Sequence, residues 1–188
     1  MRQARTLTDK QLRIVLAHCA TRRHAERDRL IVLVSFYAGL RAKEIAAMRI
    51  ENVSKADGTI CDEFVLTGHQ AKGGKARRVF LNERLQTEIA GYLRTLDPAK
   101  RSGPLFQSQK GSAFSANTLC QLFLNIYGQC DIEGASSHSG RRTFITKLAG
   151  NGVSVRVLAT LAGHASISTT QRYIDVNDGQ MRSAVELA

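Results

Sequence analysis

The chain has 188 residues, 43% of them hydrophobic, which suits one well-buried globular domain and is short for two. No apolar run reaches the length of a membrane span, the basic start Met1-Arg2-Gln3-Ala4-Arg5 lacks the apolar stretch of a signal peptide, and four scattered cysteines with no C-x-x-C pair argue against structural zinc or a disulfide framework. Lysine and arginine number 27 against 16 acids, a net charge of +11, which favours a polyanion partner through counterion release. The expectation is an intracellular, cytoplasmic protein whose thiols are reduced and mostly buried.

In chain order, Thr8 reads as the N-cap of a helix to about Ala17. A second helix runs from about His24 to Ala38, with Leu30, Leu33, Val34 and Tyr37 as a core-facing stripe, and Gly39 interrupts it. A third spans Ala42 to Met48. Phe64-Val65-Leu66 and Arg78-Val79-Phe80-Leu81 read as the strands of a β-hairpin about the turn Ala71-Lys72-Gly73-Gly74-Lys75, with Ile60 or Val53 as a further strand. Helical pattern returns after Asn82, with Leu85, Ile89, Leu93 and Leu96 on one side, and again from Ser115 to Ile126. Ser137 reads as the cap of a helix carrying His138 to Leu148. Ser154 caps a short helix ending at Gly163. Ser166 opens a helix that buries Ile167, Thr170 and Ile174 and carries Tyr173 at its edge. The tail from Asp178 to Ala188 is weakly amphipathic through Met181, Val185 and Leu187. The fold class is mainly α with a small inserted antiparallel β-sheet.

Several polar residues have the chemistry to act on a phosphodiester. Phosphoryl transfer puts negative charge on non-bridging oxygens, and the planar, permanently charged guanidinium fork matches them. Arg41 follows the helix-breaking Gly39 and projects at a helix start. His138 and Arg141 stand three residues apart in a first helical turn and share a face, at a helix end that favours phosphate. Lys72 and Lys75 lie at the hairpin tip, where a flexible cation suits protonation of a leaving alkoxide or entry into a groove. His164 follows the helix-ending Gly163. Tyr173 offers a phenol whose anion needs neighbouring cations or a base. Glu44, three residues from Arg41, suits a partner that orients it.

Ordered as Arg41, Lys72, His138-x-x-Arg141, His164 and Tyr173, these residues resemble the signature of the tyrosine recombinases, or phage integrase family. Ala38-Gly39-Leu40-Arg41-Ala42-Lys43-Glu44-Ile45 resembles its first arginine box. Lys72-Gly73-Gly74-Lys75-Ala76-Arg77-Arg78-Val79 resembles the hairpin that carries its lysine. Leu161-Ala162-Gly163-His164 and the run to Tyr173 resemble its last box. The resemblance covers roughly residues 6 to 177. It departs at Gly140, where a leucine is usual, at Arg142, where a second histidine is common, and at Phe80, where a proline is frequent.

The resemblance implies that Tyr173 attacks a DNA phosphodiester to form a 3′-phosphotyrosyl link and release a 5′-hydroxyl. Arg41 and Arg141 would hold the phosphate, and Lys72 (with Lys75 nearby as the alternative) would protonate the leaving oxygen. His138 would assist proton transfer at the tyrosine, and His164 would hydrogen-bond the phosphate. Lys75, Arg77 and Arg142 would contact DNA. The resemblance implies no metal or other cofactor and no ATP. It implies a homotetramer on two double-stranded DNA sites, a monomer without DNA, an accessory DNA-bending protein, and a nucleoid location in a prokaryote or phage. Family members usually carry a separate helical DNA-clamping domain ahead of the catalytic one. The stretch before Arg41 reads instead as part of the catalytic fold, so the expectation is a single catalytic domain over 1–188, excised or minimal like the fimbrial-switch invertases, with the tail 178–188 docking on a neighbour. The other readings are a type IB topoisomerase and a non-catalytic DNA-binding regulator.

Overall fold

The structure is a computed structural model that describes residues 3–70, 76–97, 102–108 and 111–174, with 181, 182, 185 and 186 of the tail. Thr8 accepts a hydrogen bond from the Gln11 backbone N–H while the Gln11 side chain accepts from that of Thr8, a capping box that opens α1 (Asp9–Ala20). α2 (Ala25–Tyr37) is buried almost all round from Leu30 to Phe36, not along one stripe, and forms the centre of the core. Each large aliphatic residue in that run stabilises the fold by roughly 1.5–3 kcal/mol through burial. α1, α5 (Glu83–Thr95) and α7 (Ser139–Gly150) pack against it.

After α2 come α3 (Ala42–Ala46) and α4 (Ile50–Val53), then the antiparallel strands β1 (Glu63–Leu66) and β2 (Arg77–Phe80), in register Glu63 with Phe80 and Leu66 with Arg77. The expected third strand is corrected: Val53 closes α4, and Ile60 makes only an isolated bridge to Ser54. The hairpin tip, with Lys72 and Lys75, lies outside the described residues. α6 (Ala116–Gln129) packs on α3; α8 (Val155–Ala162) packs on α7 and on α9 (Ile167–Gln171). Asn82, Ser115, Ser154 and Ser166 cap α5, α6, α8 and α9 through their side chains, as the sequence predicts.

Two expectations about side-chain placement fail. Ser137 does not cap α7: its hydroxyl is buried and accepts from the Cys120 thiol, and His138 takes the cap position. Ile167 is 45% exposed, so α9 buries Thr170 without it. The thiols also sort less cleanly than expected, since Cys19 alone is fully buried. Among the described residues no helix is long and apolar enough to cross a membrane.

Gly140 leaves no room for a side chain. A Cβ there would lie 2.4 Å from Ser35 Oγ and 3.0 Å from the Ser35 backbone carbon, where α7 crosses α2. For Gly140→Ala the overpacking penalty of roughly 1–3 kcal/mol outweighs a helix-propensity gain of about 1 kcal/mol. The expected result is a lower urea midpoint with an unchanged slope; a midpoint at or above wild type would show that α2 yields.

Candidate active site

Two glycines at helix ends shape the site. Gly39 terminates α2 with φ +62°, and a Cβ there would meet the Phe144 ring at 2.5 Å. Only glycine accepts both conditions without strain, and the turn aims the Gly39 carbonyl at Arg141. Gly163 ends α8 with the same φ, and a Cβ there would lie 2.5 Å from Arg77 Cδ. Gly163 and His164 donate their backbone N–H groups back to Thr160 and Ala159 respectively, so α8 ends in a left-handed C-cap.

A helix C-terminus carries acceptor carbonyls and partial negative charge. Here three consecutive carbonyls each receive one arginine. Arg77 Nη1 donates to Leu161 O at 2.8 Å, Arg141 Nη2 to Ala162 O at 2.6 Å, and Arg41 Nη2 to Gly163 O at 3.5 Å. The guanidinium groups of Arg41 and Arg141 therefore converge, although a hundred residues separate them in sequence. Arg141 also donates from Nη1 to Gly39 O at 2.7 Å.

Charge in this cluster is unbalanced. Glu44 is fully buried and accepts from Arg41 Nη1 at 2.9 Å, the Arg41 backbone N–H at 2.8 Å and Arg77 Nη2 at 2.8 Å. Burial would raise its carboxyl pKa, but the hydrogen bond and charge of Arg77 and those of Arg41 outweigh it and hold the carboxyl below its usual range. Among the described residues Arg141 has no carboxylate partner. Burial, and then the charge of Arg41, pushes its guanidinium down to about 9, which still leaves it charged at neutral pH. Three guanidiniums around one carboxylate leave two positive charges in excess, a site that an anion would stabilise. A guanidinium has five N–H donors, so the bonds that fix the plane of Arg141 still leave donors for an oxyanion.

His164 lies beside Arg141, with Nε2 at 2.9 Å from Arg141 Nη2 and Nδ1 at 2.8 Å from the buried Thr170 hydroxyl. A guanidinium can only donate, so Nε2 accepts and Nδ1 carries the ring proton. Burial, followed by the charges of Arg141, Arg41 and Arg77, pushes the imidazole down to about 4. On acidification the unfolded chain, with a value near 6.5, therefore takes up this proton first. The neutral ring's contribution to stability is complete above pH 6.5 and is lost as pH falls towards 4. The thermal midpoint of the wild type is expected to fall more steeply across that interval than that of His164→Gln; parallel profiles would mean that His164 titrates normally.

The Tyr173 ring stacks on His164, with centroids 5.7 Å apart and planes 18° from parallel. The Arg142 guanidinium stands 5.7 Å from the Tyr173 ring centre, and Thr146 donates to the Tyr173 carbonyl at 3.4 Å. Tyr173 lies just past the end of α9, half-buried. Arg142 also bonds to Gln3, so it joins the N-terminal segment to the tyrosine. His138 sits at the start of α7, exposed, one turn before Arg142, whose backbone N–H donates to the His138 carbonyl.

The structure thus gathers Arg41, Glu44, Arg141, His164 and Tyr173, with His138 and Arg142 on the adjoining turn of α7. Lys72 and Lys75 fall outside the described residues. Arg77, expected as a DNA contact, is placed differently: its side chain is 10% exposed and faces Glu44 and α8. Sequence reasoning missed it as a member of this cluster. The one signal was its place inside the hairpin box that carries the lysine, Lys72 to Val79.

Fold and site together define a mainly helical domain that gathers buried positive charge beside a tyrosine. The chain belongs to the phage integrase family, whose model matches residues 5–180. It is similar to tyrosine recombinase XerA of Pyrococcus furiosus, 34% identical over 163 residues that make up 86% of this chain and 54% of that protein. It is also similar to tyrosine recombinase XerC of Caldanaerobacter subterraneus, 32% identical over 85% of this chain and 44% of that protein. The chain spans about half the length of these curated relatives. Its fold matches a crystal structure of XerA recombinase with a TM-score of 0.75 at 23% identity, over 99% of this chain and 66% of that one. It also matches the catalytic domain of bacteriophage HP1 integrase with a TM-score of 0.68 at 23% identity, over 98% and 95% of the two chains.

Proposed function

We propose that this chain is the catalytic domain of a tyrosine-type site-specific recombinase, which cuts and rejoins double-stranded DNA through a 3′-phosphotyrosyl intermediate. The observation that carries the reading is the convergence of Arg41 and Arg141 on consecutive carbonyls of one helix end, with Tyr173 stacked on the histidine that touches Arg141. Tyr173 Oη attacks the scissile phosphorus and the P–O5′ bond breaks. Arg41 and Arg141 hold the non-bridging oxygens as charge builds there. The phenol's proton passes to His138, and the O5′ leaving group takes one from Lys72, with Lys75 as the alternative donor. His164 keeps the Arg141 fork in plane; donation to the phosphate itself requires its other tautomer. The phosphotyrosyl bond keeps the energy of the phosphodiester, so the 5′-hydroxyl of a second duplex reseals it without ATP.

The net charge of +11 supports the DNA partner. The reaction runs in a homotetramer on two duplexes, in the cytoplasm beside the chromosome. Met181 and Val185 are exposed, which supports docking of the tail on a neighbouring subunit. The test is incubation with a nicked suicide duplex carrying the DNA that flanks the gene, followed by denaturing electrophoresis and peptide mapping. Covalent DNA on Tyr173, together with strand exchange between two sites, supports the proposal. Relaxation of one duplex without exchange would make the protein a topoisomerase, and no covalent product on any flanking sequence would make it a binding module.

A further inference from the structure

We infer that Arg77 is a positioning residue for DNA cleavage: it ties the buried Glu44 carboxylate to the end of α8, and so sets the presentation of Arg41 and His164 without touching DNA. The inference rests on the recombinase reading above. Arg77 bonds Glu44 Oε2 with one arm of its fork and Leu161 O with the other. Its aliphatic stem lies under Gly163, whose α-hydrogen face has no room for a side chain against it. Its Nε is buried and has no partner among the described residues. The Arg41 fork bonds the other oxygen of the same carboxylate, and the next residue after Gly163 is His164. Arg77 thereby joins β2, α3 and the end of α8 through one side chain.

A planar fork with two fixed arms does this work, and an ammonium cannot span both acceptors. Without it Glu44 keeps only Arg41. The carboxylate then has room to turn, and it carries the Arg41 guanidinium with it. A misplacement of about 1 Å at a catalytic group commonly lowers a rate on the order of 10²-fold.

The experiment compares the wild type, Arg77→Met, Arg77→Lys, Glu44→Gln and the Arg77→Met/Glu44→Gln pair on the suicide duplex. Duplex affinity is measured over a range of salt. The expected result for Arg77→Met is cleavage slower on the order of 10²-fold, with the slope of log affinity against log salt unchanged. Arg77→Lys recovers part of the rate, and in the Glu44→Gln background Arg77→Met adds little, because both act through one carboxylate. A salt slope shallower by about 0.9, the signature of one lost phosphate contact, overturns the inference, as does a wild-type rate in Arg77→Met. Additive losses in the double variant also overturn it. If Arg77→Met does not fold by circular dichroism, Arg77→Lys carries the same salt and coupling comparison. Failure of the wild type to form any covalent product would count against the recombinase reading and not against the role of Arg77.

Discussion

Tyr173→Phe is expected to eliminate covalent attachment to the suicide duplex while leaving duplex affinity unchanged. The substitution removes one oxygen and keeps the ring, so the stacking on His164 and the Arg142 contact persist. At a half-exposed position outside any buried polar network the change in stability should stay within about 0.5 kcal/mol. No other tyrosine can replace it. The chain has four tyrosines. Tyr127 is buried in the core, and burial pushes its phenol strongly up. Burial likewise pushes Tyr92 up to about 12, and its hydroxyl donates to Leu105 O at 3.1 Å. Tyr37 packs under Arg84 at the end of α2. Denaturing electrophoresis of the wild type and the variant, with filter binding on the same preparations, decides the matter. A residual covalent band in Tyr173→Phe would place the nucleophile elsewhere, and loss of binding together with the band would make the tyrosine a DNA contact first.

Local chemistry carried most of the fold into the sequence. Thr8, Asn82, Ser115, Ser154 and Ser166 each mark a helix start because a short side-chain oxygen meets an unpaired backbone N–H there. Gly39 and Gly163 mark ends because both need positive φ. The failures are places where tertiary surroundings chose among equivalent local options. Ser136, Ser137 and Ser139 all offer a hydroxyl around the start of α7, and burial of the Ser137 hydroxyl against Cys120 removed it from competition. The periodic stripe of α2 vanished because neighbours cover every side of it. Val53 has a strand former's side chain, yet it closes a one-turn helix.

The candidate site divides in the same way. Arg41, Arg141, His164 and Tyr173 were legible through their order and the boxes around them. The inward turn of Arg77 was not, because residue type alone assigns an arginine on a basic hairpin to the surface. Its carboxylate partner lies 33 residues away in sequence, and its carbonyl partner 84. Only the folded chain brings those three together.

Arg41→Ala is expected to slow cleavage by on the order of 10²–10³-fold, the usual effect of removing one preorganised donor to a developing oxyanion, with the fold intact. Truncating one partner of a buried ion pair normally destabilises by about 3–5 kcal/mol, because it strands the other charge. Here Glu44 retains Arg77 at 2.8 Å and the backbone N–H of residue 41 at 2.8 Å, so its charge stays paired. The thermal midpoint should therefore move little while the rate collapses. Arg41→Lys should recover only a small part, since a point charge cannot bond Glu44 and two phosphate oxygens in one plane. Duplex affinity separates this residue from Arg77: loss of Arg41 should make the salt slope shallower by about 0.9, as one phosphate contact disappears. Single-turnover cleavage, thermal melting and salt-dependent binding on one preparation test the three claims together. Cleavage at the wild-type rate with a normal melt would remove Arg41 from the reaction, and with it the convergence on which the functional reading rests.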